Sequence, residues 1–219
     1  MARVTREESQ ARTRQQLLDA AAVEFAERGF GGASLDRIAA SAGFTRGAVY
    51  SNFADKADLF VAVLDDRSRH QIAEIDAAIS STSADGTEFV ARLRSPAWTG
   101  RNRPDLVLQW MRLNDEFRLF ALRDERARLA LARHEQRLRE FYALAAERFL
   151  EPIGLGDRFD RTTLGAMLYA LDRDLNRQQH VDPADVPPTS FADAIAILLE
   201  AAEALGRSDA GESRSDGQR

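Results

Sequence analysis

Residues Ser34 to Lys56 read SLDRIAASAGFTRGAVYSNFADK, and the rest of the chain is best understood outward from them. Leu35, Ile38, Ala39 and Ala42 recur at i, i+3, i+4 and i+7, which gathers them on one face of a helix. Gly43 supplies a tight turn, and a second short helix then puts Val49 and Phe53 on its inner side. Ser34 and Thr45 stand where a hydroxyl caps a helix by accepting a free backbone N–H. Arg46, Gly47, Tyr50 and Ser51 are left facing outward. A helix too short to be stable alone, with polar groups and a phenol on its free face, suits a DNA groove. The spacing predicts a helix-turn-helix over 34–53, with a further helix beginning at Lys56.

The segment before it supports that reading. From Arg12 to Arg28 a helix carries Leu18, Ala21, Ala22 and Phe25 as its apolar stripe, and Gly29 sits where a helix end favours a left-handed residue. Leu18, Ala22, Phe25, Leu35, Ile38, Val49 and Phe53 then form one small apolar centre for three helices. Residues 1–11, with Arg3 and Arg6 against Glu7 and Glu8, are expected to be a flexible arm, either solvated or touching phosphate.

Charge narrows how such a unit meets DNA. The 219 residues carry a net charge of −5, which argues against coating DNA by bulk positive charge. Residues 1–60 hold eight basic and eight acidic side chains, so any affinity must come from a local basic face. Lys56 is the only lysine among 30 basic residues. There is no cysteine and no run of about 18 apolar residues, and the polar start lacks the apolar core of a signal peptide. A cytoplasmic protein is expected.

Beyond Lys56 the periodicity predicts only helices: 56–80, 87–94, 105–122, 124–150, 161–180 and 190–205. The segment Pro152 to Gly156 breaks the fourth of these, and the tail from 208 to 219 has the composition of a disordered one. No strand is expected, so the fold class is all-α with about nine helices. The domains are expected to be 12–55, which binds DNA, and 56–207, which binds a ligand and dimerises.

Leu164, Leu168, Leu171 and Leu175 follow 4-3-4 spacing, and Phe191, Ile195, Leu198, Ala202 and Leu205 follow 4-3-4-3. Two such seams on adjacent helices favour a four-helix bundle made by two copies of the pair; the plain alternative turns both seams into this chain's own core. Trp98, Trp110, Met111, Phe117, Phe141 and Tyr142 offer the lining of an apolar pocket, with Asn114 and His134 as polar handles, or else serve as ordinary core.

The run Phe25-Ala26-Glu27-Arg28-Gly29-Phe30, then Ile38-Ala39, Ala42-Gly43 and Gly47-Ala48-Val49-Tyr50-Ser51-Asn52-Phe53, with Lys56 and Leu59, resembles the TetR family of bacterial transcriptional regulators. The resemblance covers about Arg12 to Leu64. It implies a homodimer on a palindromic operator in double-stranded DNA, released by a small, largely apolar effector. Thr45, Tyr50 and Lys56 match the family's phosphate contacts, while Arg46, Gly47, Ser51 and Asn52 match positions near bases or the groove wall; Ser34 caps the first helix of the motif. Asn52 stands where many members have histidine. On its own chemistry Arg46 suits a bidentate pair with guanine, and Lys56 suits either a phosphate or a salt bridge to Asp55 or Asp58.

Other classes fare worse. Asp66, His70 and Glu74 share a helix face, but a solvated charge ladder explains them more simply than a metal. The three histidines are scattered and no glycine-rich phosphate loop occurs, so neither an enzyme nor a cofactor is expected. The alternative is a transcriptional activator, or a regulator of the same fold that needs no ligand.

Overall fold

A computed structural model of the chain describes residues 5–81, 86–95 and 104–216. Among these residues it is all-α: α1 (Arg6–Gly32), α2 (Leu35–Ser41), α3 (Arg46–Tyr50), α4 (Lys56–Ser80), α5 (Thr87–Arg94), α6 (Pro104–Ala121), α7 (Glu125–Leu150), α8 (Arg161–Val181) and α9 (Ser190–Asp216), with a 3-10 turn at Glu151–Ile153. None of these helices is long and apolar enough to cross a membrane.

The helix boundaries differ from expectation at both ends. The segment expected to be a flexible arm is helical from Arg6. Thr5 caps it, its hydroxyl accepting from the Glu8 N–H at 3.2 Å while its own N–H donates to Glu8 Oε2 at 2.7 Å. This reciprocal capping box satisfies two groups that would otherwise need water. At the other end α9 runs on to Asp216, through a stretch expected to be disordered. No proline or glycine pair interrupts that stretch.

Two compact units divide the chain: Met1–Gln71 with Pro104–Glu135, and Ile72–Arg103 with Gln136–Arg219. The first is larger than the expected 12–55 domain, because its core is not closed by three helices. Leu18, Phe25, Ile38, Val49 and Phe53 are buried together with Leu59, Phe60 and Val63 of α4 and Leu113 and Phe117 of α6. Phenylalanine rings tie these helices directly. Phe60 lies 4.4 Å from Phe117 between centroids, and Phe30 lies 4.9 Å from Phe117 and 5.4 Å from Phe60. Each such pair adds about 0.5–1.5 kcal/mol beyond its buried area.

The second unit has its own core. Ala78, Ile79, Phe89, Leu93, Phe149 and Ala192 are buried together, with Phe89 stacked on Phe149 at 5.4 Å. A smaller cluster joins Leu150, Leu155 and Ala202, with Leu164 against it. α7 and α8 approach closely at Gly165, where an added Cβ would run into the Arg139 carbonyl.

Candidate nucleic-acid interface

The helix-turn-helix forms where its spacing places it. Ile38, Ala39, Val49 and Phe53 are buried, and Gly43 takes φ 76° in the turn, where the Phe44 N–H donates to Ala39 O at 2.8 Å. Ser34 and Thr45 hold the N-cap positions, but neither hydroxyl makes the expected cap bond. The α2 start is held by tertiary contact instead: the Ser34 N–H donates to Glu24 Oε1 at 3.2 Å. Glu24 accepts the N-cap N–H that an acid three residues on would take in a capping box, and Arg37, which occupies that place, donates to the same carboxylate oxygen.

The outer side of α3 is open. Tyr50 is 47% exposed, and Arg46 donates to its hydroxyl at 3.1 Å and to Asp36 Oδ2 at 3.2 Å. A Cβ built on Gly47 would come no closer than 3.6 Å to this protein, at Thr45 Oγ1. Nothing within the fold requires glycine at that position, so the space it leaves is available to something outside. Ser51 is exposed, its hydroxyl donating to Ala48 O at 2.9 Å. Asn52 turns its amide back onto the same carbonyl at 2.8 Å, which leaves its side-chain oxygen as the group free to face a partner.

Sequence reasoning offers residues 1–11 as a flexible arm, solvated or touching phosphate, and misses that α1 is helical from Arg6 and forms a wall beside α3. Thr5, Arg6, Ser9, Gln10 and Thr13 line one wall of an open cleft of about 830 Å³ whose other wall is Ala48, Ser51 and Asn52. Arg14 donates to Asn52 O at 2.9 Å and lies 4.3 Å from the Phe53 ring centroid, a cation at the carboxyl end of α3. The Thr-x-x-Glu pattern at Thr5–Glu8 was the available signal that helix, and so this wall, begins at residue 6.

Behind this face, polar side chains hold the bend between α1 and α2. Gly29 has φ 71° and ψ 172°, a conformation essentially limited to glycine. The N–H groups of Phe30 and Gly31 donate to the Glu116 carboxylate of α6 at 3.0 and 2.6 Å. Lys56 closes the other side, donating to the carbonyls of Gly31 and Ala33 at 3.3 and 3.2 Å, with its ammonium 4.8 Å from the Phe30 ring centroid. Burial lowers its pKa from the ordinary lysine value, partly offset by the Glu116 charge. The salt bridge to Asp55 or Asp58, the alternative to a phosphate contact, does not form. Those carboxylates accept the N–H groups of Asp58 and Ala54 at the start of α4.

The remaining candidates are dispersed. Phe117 is fully buried in the ring cluster, so it is core rather than pocket lining. His134 is paired with Asp65 at 2.5 Å, and Trp110 is buried in the first unit with Met111 and Asn114 nearby on α6, both partly buried. Phe141 and Tyr142 belong to the second unit, where the Tyr142 hydroxyl donates to Asp172 at 2.7 Å. Trp98 and the side chain of His70 lie outside the described residues.

Of the expected dimer seam, Leu164, Leu168, Phe191 and Ala202 face inward. Leu168 and Ala202 are buried, Leu164 meets the cluster around Leu150, and Phe191 meets that around Phe149. Leu171, Leu175, Ile195 and Leu198 are partly buried and Leu205 is exposed, beside Met167 and Ile197, which are 45% and 67% exposed.

Comparison with known proteins bears on the same segment. The family model for bacterial regulatory proteins of the tetR family matches residues 17–63. The HTH-type transcriptional regulator AcrR of Shigella flexneri is 45% identical over 76 residues, 35% of this chain and 34% of that protein. The HTH-type transcriptional repressor BepR of Brucella suis is 46% identical over 54 residues, 25% of this chain and 26% of its own. The chain thus matches only about a third or less of the length of these relatives.

Solved structures extend the likeness of fold. A Rhodococcus sp. protein described as a TetR-family transcriptional regulator matches with a TM-score of 0.67 at 23% identity, over 86% of this chain and 99% of that one. The transcriptional regulator FadR of Bacillus subtilis, solved with stearoyl-CoA, matches with 0.58 at 16% identity, over 84% and 96%. The segment that matches the tetR family of bacterial regulatory proteins, residues 17–63, is thus the one folded as a helix-turn-helix, and the described residues around it are all helical.

Proposed function

We propose that this protein is a ligand-responsive transcriptional repressor that binds a palindromic operator as a homodimer and is released by a small effector. The observation that carries the reading is the match over residues 17–63 on a helix-turn-helix whose outer face is open at Gly47. Arg46 is the base reader, its guanidinium leaving Asp36 for guanine O6 and N7. Gly47 lets the duplex come close. Thr45 and Tyr50 meet phosphate, Ser51 and Asn52 meet the groove, and the hydroxyl-lined start of α1 with Arg6 follows the adjoining backbone. Lys56 acts through the α1–α2 bend that it holds.

Two copies pair through the outer sides of α8 and α9, where Met167, Ile197 and Leu205 are exposed. That pairing sets the two reading helices about 34–36 Å apart, one turn of B-DNA. The effector works by changing that spacing. A repressor among the relatives and a neighbour solved with stearoyl-CoA favour repression and a ligand over the alternative readings, an activator or a ligand-independent regulator.

The test is fluorescence anisotropy on the intergenic DNA beside the gene. Arg46→Ala should cost about 1–3 kcal/mol per half-site and relax base preference at one position. Gly47→Ala should leave the melting temperature unchanged yet weaken binding, because the added methyl meets only the duplex. Retention of full operator affinity by both variants would refute the assignment.

A further inference from the structure

The core of the first unit changes character along α4 and α6. Phe60 meets Phe117, and one turn further along α4 stand the buried aliphatics Val63 and Leu64, with Leu113 on α6. At the next turn Arg67 takes the place of an apolar residue, its guanidinium carbon 4.2 Å from the centre of the Trp110 ring. Trp110 is only 7% exposed, so this stack sits at the margin of the core.

Arg67 differs from the other cations described above: Arg14 and Lys56 also lie over rings without an acid, but each donates to backbone carbonyls. Arg37, Arg46, Arg69, Arg118 and Arg128 are each paired with a carboxylate. Among the described residues Arg67 has the indole and no acid. The nearest acids along its own helix are engaged elsewhere, Asp65 by His134 and Asp66 by Arg69. Burial lowers the Arg67 pKa with no opposing acid to raise it, yet a guanidinium stays charged. A positive charge partly withdrawn from water against an indole, with no acid beside it, gains from an incoming counter-charge. Its side chain remains accessible from solvent, so an incoming group can reach it.

We propose that Arg67 is the anchor of an effector site for a small organic acid, with Trp110 as its platform. The fork of N–H donors pairs with a carboxylate through two parallel charge-assisted bonds, and the indole holds the fork in place. Asn114, four residues beyond Trp110 on the same face of α6 and partly buried, offers a neutral hydrogen-bonding group one helical turn along. The inference rests on the reading of this chain as ligand-responsive and names the chemistry of the ligand.

The experiment uses the full chain carrying Trp98→Phe, so that Trp110 alone reports. Octanoate, benzoate and salicylate are titrated against octanol and octyltrimethylammonium, with tryptophan emission and operator anisotropy followed in parallel. At least one of the acids should quench Trp110 saturably, and the alcohol and the ammonium should bind more weakly.

Arg67→Gln should weaken acid binding about tenfold or more and leave octanol binding unchanged; Arg67→Lys, which keeps the charge but loses the fork, should fall between. Failure of all three acids to quench, or equal acid affinity in the parent, the Gln and the Lys variants, would overturn the site. Acid binding that depends on Arg67 but leaves operator affinity unchanged would uphold the site and overturn the ligand-responsive reading instead.

Discussion

Glu24 in the first unit and Asp172 in the second are both carboxyl groups held among helices, and their surroundings act in opposite senses. Burial alone would push Glu24 up, but the hydrogen bond from Arg37 at 2.6 Å, the Ser34 N–H and the charges of Arg37 and Arg28 outweigh it and hold it below the usual range. Asp172 receives only neutral donors, Tyr142 at 2.7 Å and Asn176 at 2.9 Å, and burial holds it above the usual range. The Tyr142 phenol is itself raised well above its ordinary value, first by burial and then by Asp172, so it remains a protonated donor. One unit spends full charges to lock a backbone bend behind a reading helix. The other joins α7 and α8 through a pair with no formal counter-ion. A surface that must match the fixed spacing of a duplex gains from the first kind of lock, whose cost is borne once in folding.

The largest effects should come from the glycine on which each unit closes. Gly165→Ala would drive a Cβ into the Arg139 backbone carbonyl and to 3.0 Å from the Ala143 Cβ, and helix backbones cannot yield cheaply. We expect a loss of about 3 kcal/mol or more, read from urea unfolding followed by circular dichroism. Gly29→Ala would suffer a left-handed φ and a Cβ 2.7 Å from Glu116 Oε2, but that carboxylate is the end of a flexible side chain. Its cost should be about 2 kcal/mol, and operator affinity should fall with it. Reversal of that order would show that the first unit, not the second, is the more rigid.

Removing one polar partner should cost less. Glu116→Ala takes the acceptor from two N–H groups at the bend and should cost about 1–2 kcal/mol, with amide exchange quickening at Phe30 and Gly31. Tyr142→Phe should cost about 1 kcal/mol, confined to exchange in the second unit.

The smallest and most diagnostic effect is in pH. Glu24, with its folded pKa depressed, stabilises the first unit fully above the ordinary glutamate value of about 4.3, and the contribution is lost as pH falls through the depressed value. Asp172, with its folded pKa raised, contributes most below the ordinary aspartate value of about 3.9, and its contribution is lost as pH rises through the raised value. Acidification should therefore loosen the first unit while it relieves the second. Exchange measured unit by unit across that window, with Glu24→Gln flattening one profile and Asp172→Asn the other, would expose any error in either sign.

Much of this was legible beforehand and some was not. The helix-turn-helix announced itself because Ile38, Ala39, Val49 and Phe53 recur at helical spacing and Gly29 and Gly43 mark the two bends. The Leu164–Leu175 and Phe191–Leu205 seams were equally regular, yet regularity cannot say whose core a stripe enters. Leu164, Leu168, Phe191 and Ala202 enter this chain's own. Phe117 looked like pocket lining for the same reason and is instead the hub of the phenylalanine cluster.

The sequence by itself determined the local order of the chain: which residues are helical, where the turns fall and which face of each short helix is apolar. All of these depend on neighbours within about four positions. Only the tertiary structure decided what the charged side chains do, because their partners lie far off along the chain. Glu116 reaches 85 and 86 residues back to the α1–α2 bend, and Lys56 turns inward to carbonyls 23 and 25 residues behind it. Arg67 finds a ring and, among the described residues, neither the acid that pairs Arg46 nor the carbonyls that hold Lys56. Periodicity reports which side of a helix is buried, while a long side chain settles on whichever distant group completes its hydrogen bonds and charge, and that group is brought near only by folding.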